Sequence, residues 1–133
     1  MQFQVSTKYA IRIVQYLHLH SSDLPTAMTI SIATGVTYPY FLKIAIQLKQ
    51  HGLLGTVQGR YGGYMLAKPA TEISIYDIFQ AVEGDLQINR CLKDEQYCNS
   101  GGSGKCSTHD YFQDLQNDVA ALLSRKYIAD FSQ

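Results

Sequence analysis

Three cysteines and a histidine occupy one short polar stretch of the chain. Cys91, Cys98 and Cys106 are the only cysteines in the sequence, and His109 follows them. Thiolate and imidazole are the ligands of zinc and of iron–sulfur clusters. Residues 99–104 read Asn-Ser-Gly-Gly-Ser-Gly, so they can wrap a metal centre but cannot form a core. Unrelated free cysteines would instead be scattered and buried. The stretch therefore predicts one metal or cluster site.

Composition is that of an ordinary soluble protein. The 133 residues are 46% hydrophobic and 17% charged, which suits a single domain or a compact domain with an appendage. We find no apolar run of the ~18 residues that a membrane span requires, and the first residues do not resemble a signal peptide. We therefore expect a cytoplasmic protein without a membrane partner. In that reducing compartment, three cysteines argue against a disulfide scaffold.

Charge is divided unevenly along the chain. Residues 1–68 contain six Lys and Arg against one Asp, a net +5, whereas residues 69–133 contain five basic and ten acidic residues, a net −5. A basic N-terminal half favours contact with a polyanion. Charge alone does not distinguish this from a chance asymmetry.

Apolar spacing predicts three helices in the first 51 residues. The first is capped by Ser6 or Thr7 and reaches about His20. The second spans about 27–34, and Gly35 is placed to end it in a left-handed conformation.

Thr37 can cap the third helix, which has Pro39 in its first turn and reaches about His51. Its apolar face is predicted to join the core: Phe41, Ile44, Ala45 and Leu48. Two short helices joined by a tight turn with a glycine form a helix-turn-helix.

A β-hairpin follows the helix-turn-helix. Residues 53–58 and 64–67 read as two strands, and the loop 59–63 holds three glycines, which we expect to supply the positive φ of a hairpin loop. This is the position of a wing. Arg60 at its tip is a long cation that can enter a minor groove.

Two further helices are predicted. Ser74 and Asp77 form a capping box for a helix over 75–83, which Gly84 ends. After the cysteine loop at about 91–106, Ser107 or Thr108 caps a last helix through about Asp130. Its apolar stripe comprises Leu115, Val119, Leu122 and either Lys126 or Tyr127. Such a stripe must be covered, so we expect a homodimer in which a second copy covers it; packing on its own domain is the alternative.

The predicted fold is therefore mainly α with a small β-wing. It divides into a winged helix-turn-helix domain at 1–84, a cysteine-rich cluster-binding loop at 85–107 and a dimerisation helix at 108–133.

Residues 52–67 and 73–84 closely resemble the IscR/NsrR-type family of winged-helix transcription regulators. The specific pieces are Gly-Gly-Tyr-x-Leu at 62–66 and Ala-Val-Glu-Gly at 81–84. The resemblance covers nearly the whole chain, including Ser-Thr-Lys-Tyr-Ala at 6–10 and the three cysteines. It implies a dimeric repressor or activator that binds double-stranded DNA. Many members hold an iron–sulfur cluster through these cysteines and sense iron–sulfur status, oxidants or nitric oxide.

Three positions depart from the family pattern. Gln58 stands where the wing usually has Arg, although Arg60 lies two residues on, and the spacings between cysteines are longer than usual. Lys8 replaces the Asp that completes a [4Fe–4S] site in the nitric-oxide-sensing branch. His109 lies where the IscR branch carries a ligand histidine; the alternative is a solvated polar residue in the first turn of the last helix. The resemblance thus favours a [2Fe–2S] cluster, rather than [4Fe–4S], held by Cys91, Cys98, Cys106 and His109.

The predicted DNA contacts lie on the third helix and the wing. They are Thr37, Tyr38, Tyr40 and Lys43 on the helix, and Gln58, Arg60 and Tyr61 on the wing. Side chains near the start of a recognition helix reach base edges and phosphates. Leu42 stands where some members carry Glu, which removes one route to reading cytosine.

Other functions explain less of the sequence. It lacks a nucleophile motif, a P-loop and a His-Glu-x-x-His helix, so we predict no enzyme activity. A zinc-stabilised regulator usually has a close Cys-x₂₋₄-Cys pair, which the chain lacks. A thiol switch without a cluster remains open. An iron–sulfur carrier without a DNA role would leave the helix-turn-helix and the wing unexplained.

Overall fold

The computed structural model describes residues 3–88 and 108–131. Cys91, Cys98 and Cys106 lie outside the described residues. The described helices and strands are, in chain order, α1 (Val5–Leu19), α2 (Ala27–Thr34), α3 (Tyr38–Gln50), β1 (Leu54–Val57), β2 (Gly63–Leu66), α4 (Ile75–Glu83) and α5 (His109–Arg125). Two short 3₁₀ helices, Ala70–Glu72 and Ile128–Asp130, complete them. The predicted fold class, mainly α with a two-stranded wing, is confirmed.

The core lies where α1, α3 and α4 meet. Each of these helices contacts the other two, and α2 packs on α1 and α3. Phe41, Ile44 and Leu48 are fully buried on α3, as predicted from their spacing, and Ala45 lies beside them. They pack in one cluster with α1 residues such as Ile13 and with Ile78 of α4. The burial of one face of α3 leaves its opposite face open to solvent.

The turn between α2 and α3 agrees with the prediction. Gly35 has φ +74 and its N–H donates to the carbonyl of Ser31 at 3.0 Å, a left-handed helix end that glycine adopts without strain. Thr37 occupies the N-cap of α3, and Pro39 lies in the first turn. The predicted side-chain cap is not formed, however, because within the described chain Thr37 makes no capping hydrogen bond, and the residue is exposed.

The wing is an antiparallel hairpin that pairs Leu54 with Leu66 and Val57 with Gly63. The prediction that all three loop glycines supply positive φ is wrong for two of them, because only Gly59, at +105, has a positive φ. The other two allow close backbone contacts. A Cβ on Gly62 would lie 1.8 Å from the Val57 carbonyl oxygen, and one on Gly63 would lie 2.1 Å from that of Leu24.

The capping box of α4 is confirmed. The Asp77 N–H donates to Ser74 Oγ at 3.1 Å, and the Ser74 N–H donates to Asp77 Oδ2 at 3.0 Å. The helix begins at Ile75 and ends at Gly84, which has φ +88. The capping box before the helix and the glycine after it can both be recognised in the local sequence, and both are present in the structure.

The predicted cap of α1 is wrong. The helix begins at Val5, before both proposed caps, and Thr7 is buried inside its first turn. Glu83, at the end of α4, supplies the missing acceptor: its Oε2 accepts from the Gln4 N–H at 3.1 Å and from the Thr7 hydroxyl. A carboxylate here satisfies an unpaired N–H and complements the positive end of the helix dipole. The cap comes from a distant residue, which local sequence cannot reveal.

The last helix ends earlier than predicted, at Arg125 rather than about Asp130. The chain beyond it turns extended and pairs with the segment before α4: the Ile75 N–H donates to the Lys126 carbonyl, and the Ile128 N–H to that of Ile73, both at 2.9 Å. Ile128 is then fully buried. These backbone hydrogen bonds and the burial of Ile128 therefore replace a further turn of α5.

In the described part of the chain, no side chain of α5 is fully buried. The helix contacts α4 along one side, but Leu122 is 56% exposed and Tyr111 is 63% exposed. Leu115 and Val119 are half-buried. We find no helix in the described ranges that is long and apolar enough to cross a bilayer.

Candidate nucleic-acid interface

Helix α3 is held on the body of the protein through α1. Arg12 Nη1 donates to the Thr34 carbonyl at 2.9 Å, which fixes the end of α2. The same guanidinium lies 5.4 Å from the centre of the Tyr9 ring, and Tyr9 packs edge-to-face on Tyr40 with centroids 5.5 Å apart. Tyr40, predicted to contact DNA, is thus half-buried and also has a packing role. This chain of contacts sets the orientation of the recognition helix.

The wing is attached to the helix-turn-helix at three points. The Tyr64 N–H donates to the Pro25 carbonyl at 2.9 Å, just before α2. The Tyr64 ring packs edge-to-face on Phe41 of α3, with centroids 5.2 Å apart. Lys49 Nζ at the end of α3 donates to Thr56 Oγ1 of β1 at 3.1 Å. The wing and α3 therefore form one structural unit.

Burial raises the pKa of the Tyr64 hydroxyl above its ordinary value, and the neighbouring Tyr38 phenol adds to the effect. The Tyr64 phenol stays neutral at physiological pH and brings no negative charge to the surface.

Most of the predicted DNA contacts are exposed on this unit. Thr37, Tyr38 and Lys43 are exposed near the start of α3, with Tyr38 42% exposed. All three wing residues, Gln58, Arg60 and Tyr61, are exposed. Tyr61 is 84% exposed, and the Arg60 guanidinium lies 5.6 Å from the centre of its ring. That cation–π contact holds the cation at the wing tip.

The segment that carries these side chains has no carboxylate of its own. Residues 24–71, which include α2, α3 and the wing, contain Lys43, Lys49, Arg60 and Lys68 but neither Asp nor Glu. The single acid of the first 68 residues, Asp23, lies before α2 and contacts His20 at 3.3 Å. This unit therefore carries the positive charge that phosphates require.

Ile46 is an outward-facing residue that the sequence analysis did not select. Pro39, Lys43, Ile46 and Gln50 recur at i, i+4, i+7 and i+11, so they share the face of α3 opposite the core. Ile46 is 57% exposed there. Helical spacing alone, applied to the polar side as well as to the apolar side, would have identified it.

His109, the fourth predicted ligand, is the first residue of α5. Its Nδ1 is buried and has no hydrogen-bond partner in the described part of the chain. A buried imidazole nitrogen without a partner suits metal ligation. The other predicted ligands, Cys91, Cys98 and Cys106, lie outside the described residues. Within residues 3–88 and 108–131, no three His, Cys, Asp or Glu side chains form a group that could hold a metal ion.

Both described ends of the cysteine segment lie at α5. The Ile88 N–H, one residue before the segment, donates to Gln116 Oε1 at 3.1 Å. Gln116 lies seven residues after His109 in the same helix, a rise of ~10 Å. Ile88 and Thr108, the described residues on either side of positions 89–107, therefore both lie at the first two turns of α5.

Comparison with known proteins agrees with this architecture. The sequence model of the Rrf2 family, described as iron-dependent transcriptional regulator, matches residues 3–133. The HTH-type transcriptional regulator IscR of Yersinia pseudotuberculosis is 28% identical over 131 residues, which cover 98% of this chain and 78% of that protein. These relatives are named as regulators rather than enzymes.

Solved structures share the fold. The T. potens IscR structure has a TM-score of 0.74 at 21% identity and covers 98% of this chain and 85% of its own. CymR, the global cysteine regulator of B. subtilis, has a TM-score of 0.76 at 21% identity, with 98% and 95% coverage. With the family match over nearly its whole length and a winged helix-turn-helix of the same fold, this chain belongs to the Rrf2 family of transcriptional regulators.

Proposed function

We propose that this regulator acts as a homodimer that binds double-stranded DNA and senses iron–sulfur, redox or nitric oxide status through a bound iron–sulfur cluster. The observation that carries the DNA-binding part is that residues 24–71, which form α2, α3 and the wing, contain four Lys and Arg and neither Asp nor Glu. The proposed division is a DNA-binding domain at 1–84, a cluster-binding loop at 85–107 and a dimerisation helix at 108–133.

In the proposed complex, α3 lies in the major groove and the wing lies over the neighbouring minor groove. Thr37 and Tyr38 offer hydroxyls to phosphates or base edges, and Lys43 offers a cation to phosphate or guanine. Arg60 enters the minor groove, where negative potential attracts a guanidinium. Gln58 and Tyr61 flank it on the wing, and Tyr40 completes the set at the start of α3.

The exposure of α5 supports the dimer. A 17-residue helix without one fully buried side chain gains little stability from its own domain, since most helical stability comes from packing. A second copy that covers Leu122 and its half-buried neighbours Leu115 and Val119 would supply that packing. Two recognition helices would then meet half-sites one helical turn, ~34 Å, apart.

The proposed cluster is [2Fe–2S], ligated by Cys91, Cys98, Cys106 and His109. The donor types support it, as does the buried Nδ1 of His109, which has no hydrogen-bond partner among the described residues. When bound, such a cluster supplies a redox-active centre that oxidants and nitric oxide can destroy.

The chain around this segment offers a route to the DNA-binding surface. The segment follows Ile88, whose N–H donates to Gln116 of α5, and α4 ends at Glu83, five residues before Ile88. Helix α4 contacts α1, α3 and α5. A change in the order of residues 89–107 thus acts on the helix that supports the recognition helix, and a bias of a few kcal/mol is enough to shift two states.

Anaerobic purification of the full chain, followed by a visible spectrum with iron and sulfide counts, tests the cluster. We expect two irons and two sulfides per subunit for the wild type, fewer for His109→Ala, and an unchanged count for His51→Ala. His51 is a suitable control because it is exposed and its Nδ1 contacts the Gln47 carbonyl at 3.0 Å. A colourless protein that contains zinc or neither metal would support the zinc or thiol alternative and contradict the cluster.

Sedimentation and DNA binding test the remaining parts. We expect a dimer and enrichment of specific duplexes from a random library, more strongly or for a different site when the cluster is present. A cluster-bearing monomer that enriches no duplex would favour the carrier alternative.

A further inference from the structure

We propose that Ile46 of α3 contacts the 5-methyl group of thymine in the major groove and so makes the recognition helix select for thymine at that position. The proposal rests on the DNA-binding function proposed above, and it adds a specificity-determining residue to it.

Ile46 lies on the solvent-facing side of α3, beyond the first two turns of the helix. Ile46 lies eight residues after Tyr38, the first residue of α3, so it is ~12 Å along the helix axis. In homeodomains the base-reading residues of the recognition helix span about two turns, and Ile46 lies one turn after Lys43 on the same face of α3. Phe41, Ile44 and Leu48 are fully buried on the opposite side, so the helix cannot rotate to hide Ile46 without exposing its core residues.

The neighbours of Ile46 on this face are polar side chains that suit DNA. Lys43 and Gln50 share its face one turn before and one turn after it, and both are exposed. Their side chains suit guanine or phosphate and adenine, respectively. A protein partner would have to desolvate Lys43 to cover Ile46, whereas DNA satisfies Lys43 and covers Ile46 together.

The chemistry of the isoleucine side chain limits what it can contact in the major groove. The isoleucine side chain has neither a donor nor an acceptor, so it cannot form hydrogen bonds with base edges. The thymine methyl group is the apolar feature of the major groove, and it distinguishes thymine from cytosine. Leu42, adjacent to this face and half-buried, likewise contributes no hydrogen bond. An apolar contact is therefore the readout that Ile46 can add to the polar contacts offered by Lys43 and Gln50.

Replacement of thymine by uracil tests the contact, because it removes only the methyl group. Duplexes would first be enriched from a random library with the full-length protein, and each dT of the enriched site would then be replaced singly by dU. At one position per half-site we expect wild-type affinity to fall about fourfold, as for loss of one buried methyl group. Ile46→Ala should bind the dT duplex at least about fourfold more weakly, since it removes the methyl contact and further apolar carbons, with no further loss on the dU duplex.

Ile32→Ala is the matched control. Ile32 is 75% exposed on α2, outside this face, so that variant should retain the full sensitivity to dU. Thermal unfolding of both variants should match the wild type, because both side chains are exposed.

Equal wild-type affinity for all dU duplexes, or dU sensitivity that persists in Ile46→Ala, would overturn the thymine contact while leaving DNA binding intact. Unchanged DNA affinity of Ile46→Ala would do the same. Failure to enrich any duplex would instead contradict the proposed function.

Discussion

Substitution of Glu83 should destabilise the whole protein, although the side chain lies at the end of a short helix. Its carboxylate joins α4 to the start of α1, because Oε2 accepts from the Gln4 N–H at 3.1 Å and from the buried Thr7 hydroxyl. These residues lie 79 and 76 positions away in the sequence. The contact is therefore tertiary, and its loss should affect global unfolding rather than the fraying of one helix.

The magnitude follows from the groups that lose a partner. A hydrogen bond to a charged group contributes about 1.5–3 kcal/mol, and a buried hydroxyl left without a partner costs about 1–3 kcal/mol. Loss of an N-terminal cap costs about 1 kcal/mol. These terms overlap, and Glu83 is only half-buried. We expect Glu83→Ala to lower the free energy of unfolding by about 2–3 kcal/mol, a large share of the ~5–15 kcal/mol of a small domain.

Urea denaturation of the full-length protein, followed by circular dichroism, measures this loss. A double-mutant cycle with Thr7→Val isolates the pair, since valine keeps the shape of threonine and removes the hydroxyl. We expect a coupling energy of at least ~1 kcal/mol. Glu72→Ala is the control, because Glu72 is exposed and should change stability by less than ~0.5 kcal/mol. A coupling energy within ~0.3 kcal/mol of zero would refute the proposed link between α1 and α4.

Three further predictions concern the wing. Arg60→Ala should weaken binding to an enriched operator by about tenfold or more, the effect of losing ~1.4 kcal/mol of contact energy; unchanged affinity in a mobility-shift titration would exclude Arg60 from the minor groove. Gly63→Ala should destabilise the wing, because its Cβ would lie 2.1 Å from the Leu24 carbonyl oxygen; faster hydrogen exchange of the Tyr64 amide would report it, and unchanged exchange would contradict the close approach. Burial raises the pKa of Tyr64 above its ordinary value of 10.0, so the unfolded chain loses this proton first and stability should fall as pH rises above about 10. Tyr64→Phe should remove that part of the alkaline destabilisation, as measured by urea unfolding between pH 9 and 11, about one unit either side of the ordinary value; an identical pH dependence in both proteins would show that Tyr64 titrates normally.

Sequence alone predicted those parts of the fold whose signals are local. The bounds of α2 and α4 match their predicted ranges, because each has a glycine in a positive-φ conformation at its end. The Ser74–Asp77 capping box spans three residues, so it could be recognised from spacing. The buried face of α3 follows from helical periodicity in the same way.

The hairpin of the wing was predicted correctly, but the role predicted for its loop glycines was incomplete. A hairpin with a glycine-rich loop was expected, and it is present. However, Gly63 is required by the backbone of Leu24, 39 residues earlier, rather than by its own φ. Local turn chemistry describes the conformations that glycine allows, but it does not describe which other segment approaches the loop. The sequence therefore predicted the hairpin and missed its attachment to the helix-turn-helix.

Separation along the chain accounts for what was missed. All four predicted cluster ligands lie within residues 91–109, so connectivity alone keeps them within reach of one another. Glu83 and Thr7, by contrast, are 76 residues apart, and the pairing of Lys126 with Ile75 also joins distant segments. Closing such loops costs entropy that only the assembled core can offset. The local sequence around either residue therefore does not predict the contact. Glu83 belongs to the Ala-Val-Glu-Gly motif, which contributes to the resemblance to the family. Its contact with the start of α1 forms only when α1 and α4 pack together, so the motif alone does not predict it.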